Sequence, residues 1–210
     1  MFERFASLTR FSHGWTVTEK IDGTNACVVV AKQDHEAELP ANLIASVDGF
    51  DVFAQSRNNM IVPGKDNMAF AHFVHENADL LVSILGEGRH YGEWAGAGIQ
   101  RRYGMDKKVF ALFNAARWGD LRNHKDGGLL GGKLTSVPVL AEGYMGEPGA
   151  EFARIMEALK ENGSAFAPGF MDPEGIVMRH GPSGTLFKKT FDYDEQGKWA
   201  ENQARKQAAK

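Results

Sequence analysis

The stretch Thr18-Glu19-Lys20-Ile21-Asp22-Gly23-Thr24-Asn25 decides how this chain is read. Trp15-Thr16-Val17-Thr18-Glu19 leads into it, and Asn25-Ala26-Cys27-Val28-Val29-Val30 leads out. Both runs are rich in β-branched residues, so the pattern predicts two strands with a tight connection at Asp22-Gly23. Taken alone, such a unit is a hairpin on an Asp-Gly turn with a solvent-facing lysine. Lys-x-Asp-Gly carries little weight by itself; at ordinary residue usage it occurs in roughly a few per cent of chains this long.

Further strand-like runs lie outward from this unit. They are Leu43-Ile44-Ala45-Ser46-Val47, Phe53-Ala54-Gln55-Ser56-Arg57, His90-Tyr91-Gly92-Glu93-Trp94 and Val109-Phe110-Ala111-Leu112-Phe113, then Gly175-Ile176-Val177-Met178-Arg179 and Gly184-Thr185-Leu186-Phe187-Lys188. Helices are fewer. Phe70, Phe73, Val74, Leu81, Ile84 and Leu85 fall on helical spacing and predict one helix, with Asp66 as its start. Phe152, Ile155, Met156 and Leu159 give a second apolar stripe, stopped at Asn162-Gly163. Residues 119–136 are Gly-rich and charged and read as a loop, and the polar tail 194–210 as a surface helix or frayed end. Strands and a few helices without βαβ alternation predict an α+β domain, mostly antiparallel sheets with flanking helices, over residues 1–192, followed by a tail, 193–210.

Composition bounds the chemistry. The chain has 210 residues, enough to bury a sizeable core. Its 24 Lys and Arg against 27 Asp and Glu give a formal charge of -3, which excludes a global basic field that coats nucleic acid. A nucleic-acid partner would need a local patch, and Arg101-Arg102 with Lys107-Lys108 is one candidate; Lys198, Arg205, Lys206 and Lys210 form another. One cysteine, Cys27, leaves no internal disulfide and fits a reducing compartment. No apolar run approaches the ~20 residues of a membrane span, and no secretory signal opens the chain. The expectation is a soluble, cytoplasmic chain with no membrane partner; its oligomeric state is left open.

Three chemical readings are set aside. Gly127-Gly128-Leu129-Leu130-Gly131-Gly132-Lys133 matches a phosphate-loop pattern, but Leu134 stands where a Mg²⁺-binding Ser or Thr belongs. The Thr135-Ser136-Val137-Pro138 that follows is strand-like, whereas that motif must open a helix. His72 and His75 could share a metal at helical spacing but lack a third ligand, so a solvated face is favoured. Cys27, in a Val-rich run, reads as core.

The ordered set is more informative. After Lys20 come Arg57 in Gln55-Ser56-Arg57-Asn58, Glu93 in Tyr91-Gly92-Glu93-Trp94, Phe113 in Val109-Phe110-Ala111-Leu112-Phe113-Asn114, Glu174 in Asp172-Pro173-Glu174-Gly175-Ile176-Val177, and finally Lys188-Lys189. Each has an ordinary strand-end explanation; together, in this order, they do not. At these residues the chain resembles the covalent nucleotidyltransferases: ATP-dependent DNA ligases, RNA ligases and mRNA capping enzymes. The resemblance spans roughly residues 17–190. Glu19-Lys20-Ile21-Asp22-Gly23-Thr24-Asn25 looks most like the RNA ligase 2 type, since DNA ligases usually carry an Arg where Asn25 stands.

The resemblance implies a nucleotidyltransferase (adenylation) fold and a set of roles. Lys20 is the nucleophile that takes AMP from ATP, with Glu19, Ile21, Gly23 and Asn25 lining the nucleotide pocket around it. Arg57 donates to ribose or phosphate, Glu93 accepts from the ribose hydroxyls, and Phe113, rather than Phe110, stacks on adenine. Glu174 helps to hold Mg²⁺, with Mn²⁺ as a substitute, and counts as catalytic with Lys188 and Lys189, which neutralise phosphate charge. The family pattern is Lys-x-Lys, both on one strand face. Adjacent Lys188 and Lys189 face opposite ways in a strand, so one of them contacts phosphate; Lys188 is favoured.

The implied activity is sealing of RNA strand ends, a nicked duplex among the candidate substrates: AMP passes from Lys20 to an RNA 5′-phosphate, and a 3′-hydroxyl then displaces it. The alternatives are a minimal ATP-dependent DNA ligase, a GTP-using capping-type transferase, or a nucleotide- or RNA-end-binding protein on the same fold. Only 21 residues follow Lys189, too few for an OB-fold or another C-terminal domain. A catalytic domain standing alone is therefore expected.

Overall fold

The computed structural model describes residues 14–34, 40–66, 68–144 and 148–192, with the side chains of residues 148 and 149 excluded. The expected tail, 193–210, and its basic residues lie outside the described residues. The described residues divide into two compact units, one drawn from residues 14–20 and 139–192, the other from residues 21–138.

The first unit holds a four-stranded antiparallel sheet. Its strands are β1 (Gly14–Lys20), β9 (Val139–Tyr144), β10 (Gly175–His180) and β11 (Leu186–Thr190), in the order β11-β10-β1-β9. Val17 pairs with Met178 and Glu19 with Ile176, which puts the odd residues of β1 and the even residues of β10 on one face. That face packs the apolar stripe of helix α4 (Pro148–Asn162): Ile155, Met156 and Leu159 bury against Val17 and Ile176. The helix stops where Gly163 takes a φ of 76°, as the Asn162-Gly163 signal predicts.

The second unit is built on a seven-stranded sheet. Strands β2 (Thr24–Lys32), β3 (Ala45–Val47), β4 (Phe50–Ser56), β6 (Gly88–Gly96), β7 (Lys108–Leu112) and β8 (Leu134–Ser136) run in the order β3-β4-β2-β6-β7-β8, and β5 (Met60–Ile61) pairs with β4. Even-numbered residues supply its core: Ala26, Val28, Val30, Val52, Ala54, Trp94, Phe110, Leu112 and Leu134. Helices α1 (Phe70–Glu76) and α2 (Ala78–Leu85) cover this face with Phe70, Phe73, Val74, Leu81 and Leu85, and the one-turn α3 (Ala115–Trp118) follows β7. Phe70 sits 5.0 Å from Phe110 and 5.4 Å from Trp94 between ring centroids. Each such buried side chain stabilises the fold by about 1.5–3 kcal/mol.

Four local expectations are corrected. The single helix expected across Phe70 to Leu85 is two, broken at Asn77, whose φ of -120° leaves the helical region and whose Nδ2 donates to the Phe73 carbonyl at 2.7 Å. The apolar spacing runs through the break, which hides it in the sequence. Asp66 accepts the Ala71 amide but lies ahead of the helix, which starts at Phe70. The segment 119–136 is not all loop: it contains two 3-10 turns and ends in β8, the partner of β7 in a parallel pair.

The fourth correction concerns Asp22-Gly23. Strands β1 and β2 do not form a hairpin: β1 pairs with β9 and β10, whereas β2 pairs with β4 and β6. The Lys-x-Asp-Gly segment is therefore the point at which the chain leaves one sheet for the other. No helix among the described residues is long and apolar enough to cross a membrane.

Candidate active site

Lys20 closes β1, and its register partner across the sheet is Gly175, the first residue of β10. Glu174 immediately precedes that residue, so its side chain meets the lysine: Lys20 Nζ donates to Glu174 Oε2 at 2.6 Å, and both side chains are partly buried. The Glu174 main chain is held by the Phe191 amide, which donates to its carbonyl at 3.0 Å. Gly175 itself has a φ of 149°, and a Cβ there would collide with the Lys189 carbonyl, so this turn into β10 requires glycine.

Register also sorts the two terminal lysines. Thr18 pairs with Val177 and Val177 with Lys188, which puts Lys188 on the Thr18 and Lys20 face of the sheet. Lys189 pairs with Ile176, itself the partner of Glu19, and so stands on the face that packs α4.

The Glu19 side chain points to the sheet face opposite Lys20. It is 1% exposed; it accepts from Ser164 Oγ at 2.6 Å and from the Phe166 amide at 2.8 Å, while the Ala167 amide donates to Ser164 Oγ. A buried carboxylate needs such donors. Glu19 thus ties β1 to the loop after α4, and Ser164 is a structural partner that nothing in the local sequence singles out.

The second unit carries the other expected residues. Asn25 on β2 and Glu93 on β6 are direct register partners, with Ala111 of β7 next in the row. They share the sheet face opposite the even-numbered core. Phe113 follows β7 in phase with that face and is 41% exposed, whereas Phe110 is fully buried in the core. Of these two phenylalanines, only Phe113 has an exposed ring. Tyr91, missed in the sequence, is 43% exposed and two residues before Glu93 on β6, hence on the same face; its carbonyl accepts the Phe113 amide at 2.9 Å. Arg57 is exposed in the turn after β4, where the Ser56 amide donates to the Asn59 carbonyl. Ile21 is 4% exposed, so its side chain serves the core.

The connection after Lys20 is clamped. A Cβ on Gly23 would lie 2.5 Å from the Trp94 carbonyl. The Asp22 amide donates to Tyr103 Oη at 2.7 Å, and Arg101 Nε donates to Asp22 Oδ2 at 3.2 Å. This corrects the first basic cluster: Arg101 is engaged by Asp22, Lys107 donates to the Gly131 carbonyl and Lys108 to the Met68 carbonyl. Three of those four cations are engaged by the protein's own acceptors.

The set-aside features behave as expected. Residues 127–133 lead into strand β8, not a helix. His72 pairs with Glu76 at 3.1 Å on an exposed face, and Cys27 is fully buried, its thiol pushed up to about 11 by burial. Among the described residues, no group of three or more His, Cys, Asp or Glu side chains could hold a metal. A metal here would rest on Glu174 and on oxygens of a bound phosphate, which suits Mg²⁺, a cation that usually binds one or two carboxylates and keeps several waters.

Two units of mostly antiparallel sheet with few helices make this an α+β chain of the nucleotidyltransferase fold, shared with solved structures of an RNA ligase from Naegleria gruberi. One variant of that protein, with AMP and Mn, gives a TM-score of 0.57 at 16% identity over 87% of this chain and 51% of that one. Another, with ATP and Mn, gives 0.56 at 17% over 86% and 49%, and an apo variant gives 0.56 at 16% over 86% and 50%. This chain therefore spans about half the length of those structures. No curated protein shows significant similarity to it. The family is settled by the sequence model for RNA ligase, which matches residues 13–200: the chain belongs to the RNA ligase family.

Proposed function

We propose that this chain is the adenylating catalytic module of an ATP-dependent RNA ligase, with Lys20 as its nucleophile. The observation that carries the reading is the 2.6 Å pairing of Lys20 Nζ with Glu174 in a partly buried setting, with Lys188 on the same sheet face. An exposed lysine on a hairpin would have no such arrangement. The ATP and Mn bound to the Naegleria structures support ATP as donor and a divalent cation as helper.

In the first step Lys20 Nζ attacks the α-phosphorus of ATP. A P–N bond forms, the bond to the β-phosphate oxygen breaks, and pyrophosphate leaves. A lysine ammonium has no lone pair to offer, so it must first give up a proton to solvent; Glu174, in hydrogen-bond contact, orients the amine. Mg²⁺ held by Glu174 and the phosphate oxygens would compete with the ammonium for that carboxylate, favour the neutral amine and offset phosphate charge. Lys188 adds positive charge on the same face, and Lys189 does not take part. In the second unit Phe113 stacks on adenine, Glu93 accepts from the ribose hydroxyls with Asn25 beside it, and the exposed Arg57 donates to ribose or phosphate. Glu19 and Ile21 contact the nucleotide through their main chain alone, because their side chains are buried.

In the second step an RNA 5′-phosphate oxygen attacks the Lys20-bound AMP, forming a pyrophosphate linkage and releasing the amine. A 3′-hydroxyl then attacks the 5′-phosphate and AMP leaves. Both of these transfers depend on positioning and electrostatic stabilisation.

Incubation with α-labelled ATP and Mg²⁺ tests the reading. Wild type should take a covalent label and Lys20→Ala none. No label on wild type from ATP or GTP would sink the enzyme reading, and a GTP preference would move it to the capping class. Nicked RNA, nicked DNA and hybrid duplexes, compared side by side, then decide the strand.

A further inference from the structure

We propose that Arg101 and Tyr103 are positioning residues for adenylation, fixing the Ile21-Asp22-Gly23 turn that follows the nucleophile. The inference rests on the ligase reading above and concerns two residues that reading leaves unused. Asp22 has two groups that must be satisfied where the chain changes sheet, its amide and its carboxylate. Tyr103 Oη accepts from the amide at 2.7 Å and Arg101 Nε donates to the carboxylate at 3.2 Å. Both come from one short segment between β6 and β7.

That segment is shaped for the task at a conformational cost. Gln100, Arg102 and Tyr103 all adopt left-handed backbone, with φ of 43°, 61° and 52°. Residues with a Cβ disfavour that region, and several together persist only where the surroundings over-determine them. Here the bent backbone brings Tyr103, 2% exposed, under the Asp22 amide and leaves Arg101 only 14% exposed against the carboxylate. On the other side, the Trp94 carbonyl leaves no space for a Cβ on Gly23. The turn is held from two directions.

The nucleophile lies two residues before this clamp along the chain. Attack on phosphorus needs the amine in line with the departing oxygen, and an error of about 1 Å costs on the order of a hundredfold in rate. A turn with freedom at Asp22 would pass that freedom to the end of β1. Arg101 suits the role better than a lysine would, because its planar fork fixes direction as well as charge. Its burial and its engagement by Asp22 also argue against the RNA-binding role suggested by its basic neighbours.

The test is single-turnover formation of lysyl-AMP by the full chain, with labelled ATP and Mg²⁺ over a range of ATP concentrations. Wild type is compared with Tyr103→Phe, Arg101→Ala, Arg101→Lys and the Tyr103→Phe/Arg101→Ala pair. Tyr103→Phe and Arg101→Ala should each slow the rate at saturating ATP by on the order of tenfold, while the half-saturating ATP concentration stays within about twofold. Arg101→Lys should recover part of the rate, and the paired variant should lose less than the product of the single losses. Melting temperatures, measured in parallel, should remain above the assay temperature for the conservative Tyr103→Phe and Arg101→Lys. Wild-type rates in folded Tyr103→Phe and Arg101→Ala would overturn the proposal, as would a loss confined to ATP affinity or a loss that simply tracks melting. If wild type takes no label, the ligase reading itself fails and this inference falls with it; labelling of wild type and variants alike overturns the inference alone.

Discussion

Lys20 and Lys188 stand on one face of a four-stranded sheet, two strands apart with β10 between them, while Lys189 belongs to the opposite face. Two strand spacings and a two-residue offset put their backbones about 12 Å apart, within the combined reach of two long side chains converging on one phosphate group. The pair that sequence places side by side at 188 and 189 is thus split by the pleat into one lysine available to the nucleophile's face and one that is not.

The first expected outcome follows from this split. Lys188→Ala should lower lysyl-AMP formation by on the order of tenfold to a thousandfold, as loss of a charged group from a phosphoryl-transfer site does. Lys189→Ala should stay within about threefold. A gel-based adenylation assay with both variants decides it, and a larger effect at Lys189 would reject the register argument.

Ser164 should matter to stability more than to chemistry. Ser164→Ala removes a donor to the buried Glu19 carboxylate and an acceptor for the Ala167 amide. Leaving such a group short of partners costs about 1–3 kcal/mol. Urea denaturation should report a lower midpoint, while labelling by ATP, measured well below the transition, should persist.

Gly175→Ala should damage both. Its φ of 149° disfavours any side chain, and the added Cβ would strike the Lys189 carbonyl. Relief would have to come from a shift of β10 or β11, at a cost of about 1–3 kcal/mol. Because Glu174 is the preceding residue, the Lys20 pairing would move with it. Melting temperature and adenylation rate should fall together, and a stable, fully active variant would contradict this.

Acid sensitivity should trace in part to His90. Burial holds its imidazole below the ordinary 6.5; its contact with the Gly86 carbonyl opposes this, and nearby Arg117 reinforces it. The unfolded chain therefore binds the proton more readily than the folded one. Stability contributed by neutral His90 is fully present above about pH 6.5 and declines as pH falls below that value, levelling off beneath the folded pKa. Urea midpoints measured from about pH 7.5 down to 5 should fall in wild type and fall less in a folded His90→Gln variant. An identical slope in both would assign the acid response elsewhere.

How much of this was legible in the sequence depends on the range over which each feature is encoded. The strands around Lys20, the α4 stripe and the core role of Cys27 were all readable, because β-branched runs and helical spacing are local properties of a few consecutive residues. So was the failure of the 127–133 phosphate loop, whose following residues are strand formers. The ordered set from Lys20 to Lys188-Lys189 was readable for the same reason, and it pointed to the RNA ligase family that the sequence model confirms. The helix break at Asn77 was hidden because the apolar spacing continues across it.

What only the tertiary structure decided was phase and partnership. Alternation says that Lys188 and Lys189 face opposite ways, but the hydrogen-bond register with β10 says which faces Lys20. Asp22-Gly23 has the residues of a hairpin turn, yet its two strands find partners far along the chain and join different sheets. The Glu19 side chain is buried against Ser164, and Arg101, one candidate in a basic patch, pairs with Asp22; neither partner is visible from the local sequence. In each case the local pattern fixes what a residue can do, and contacts between distant segments choose where it does it, because register and burial are set by which strands meet.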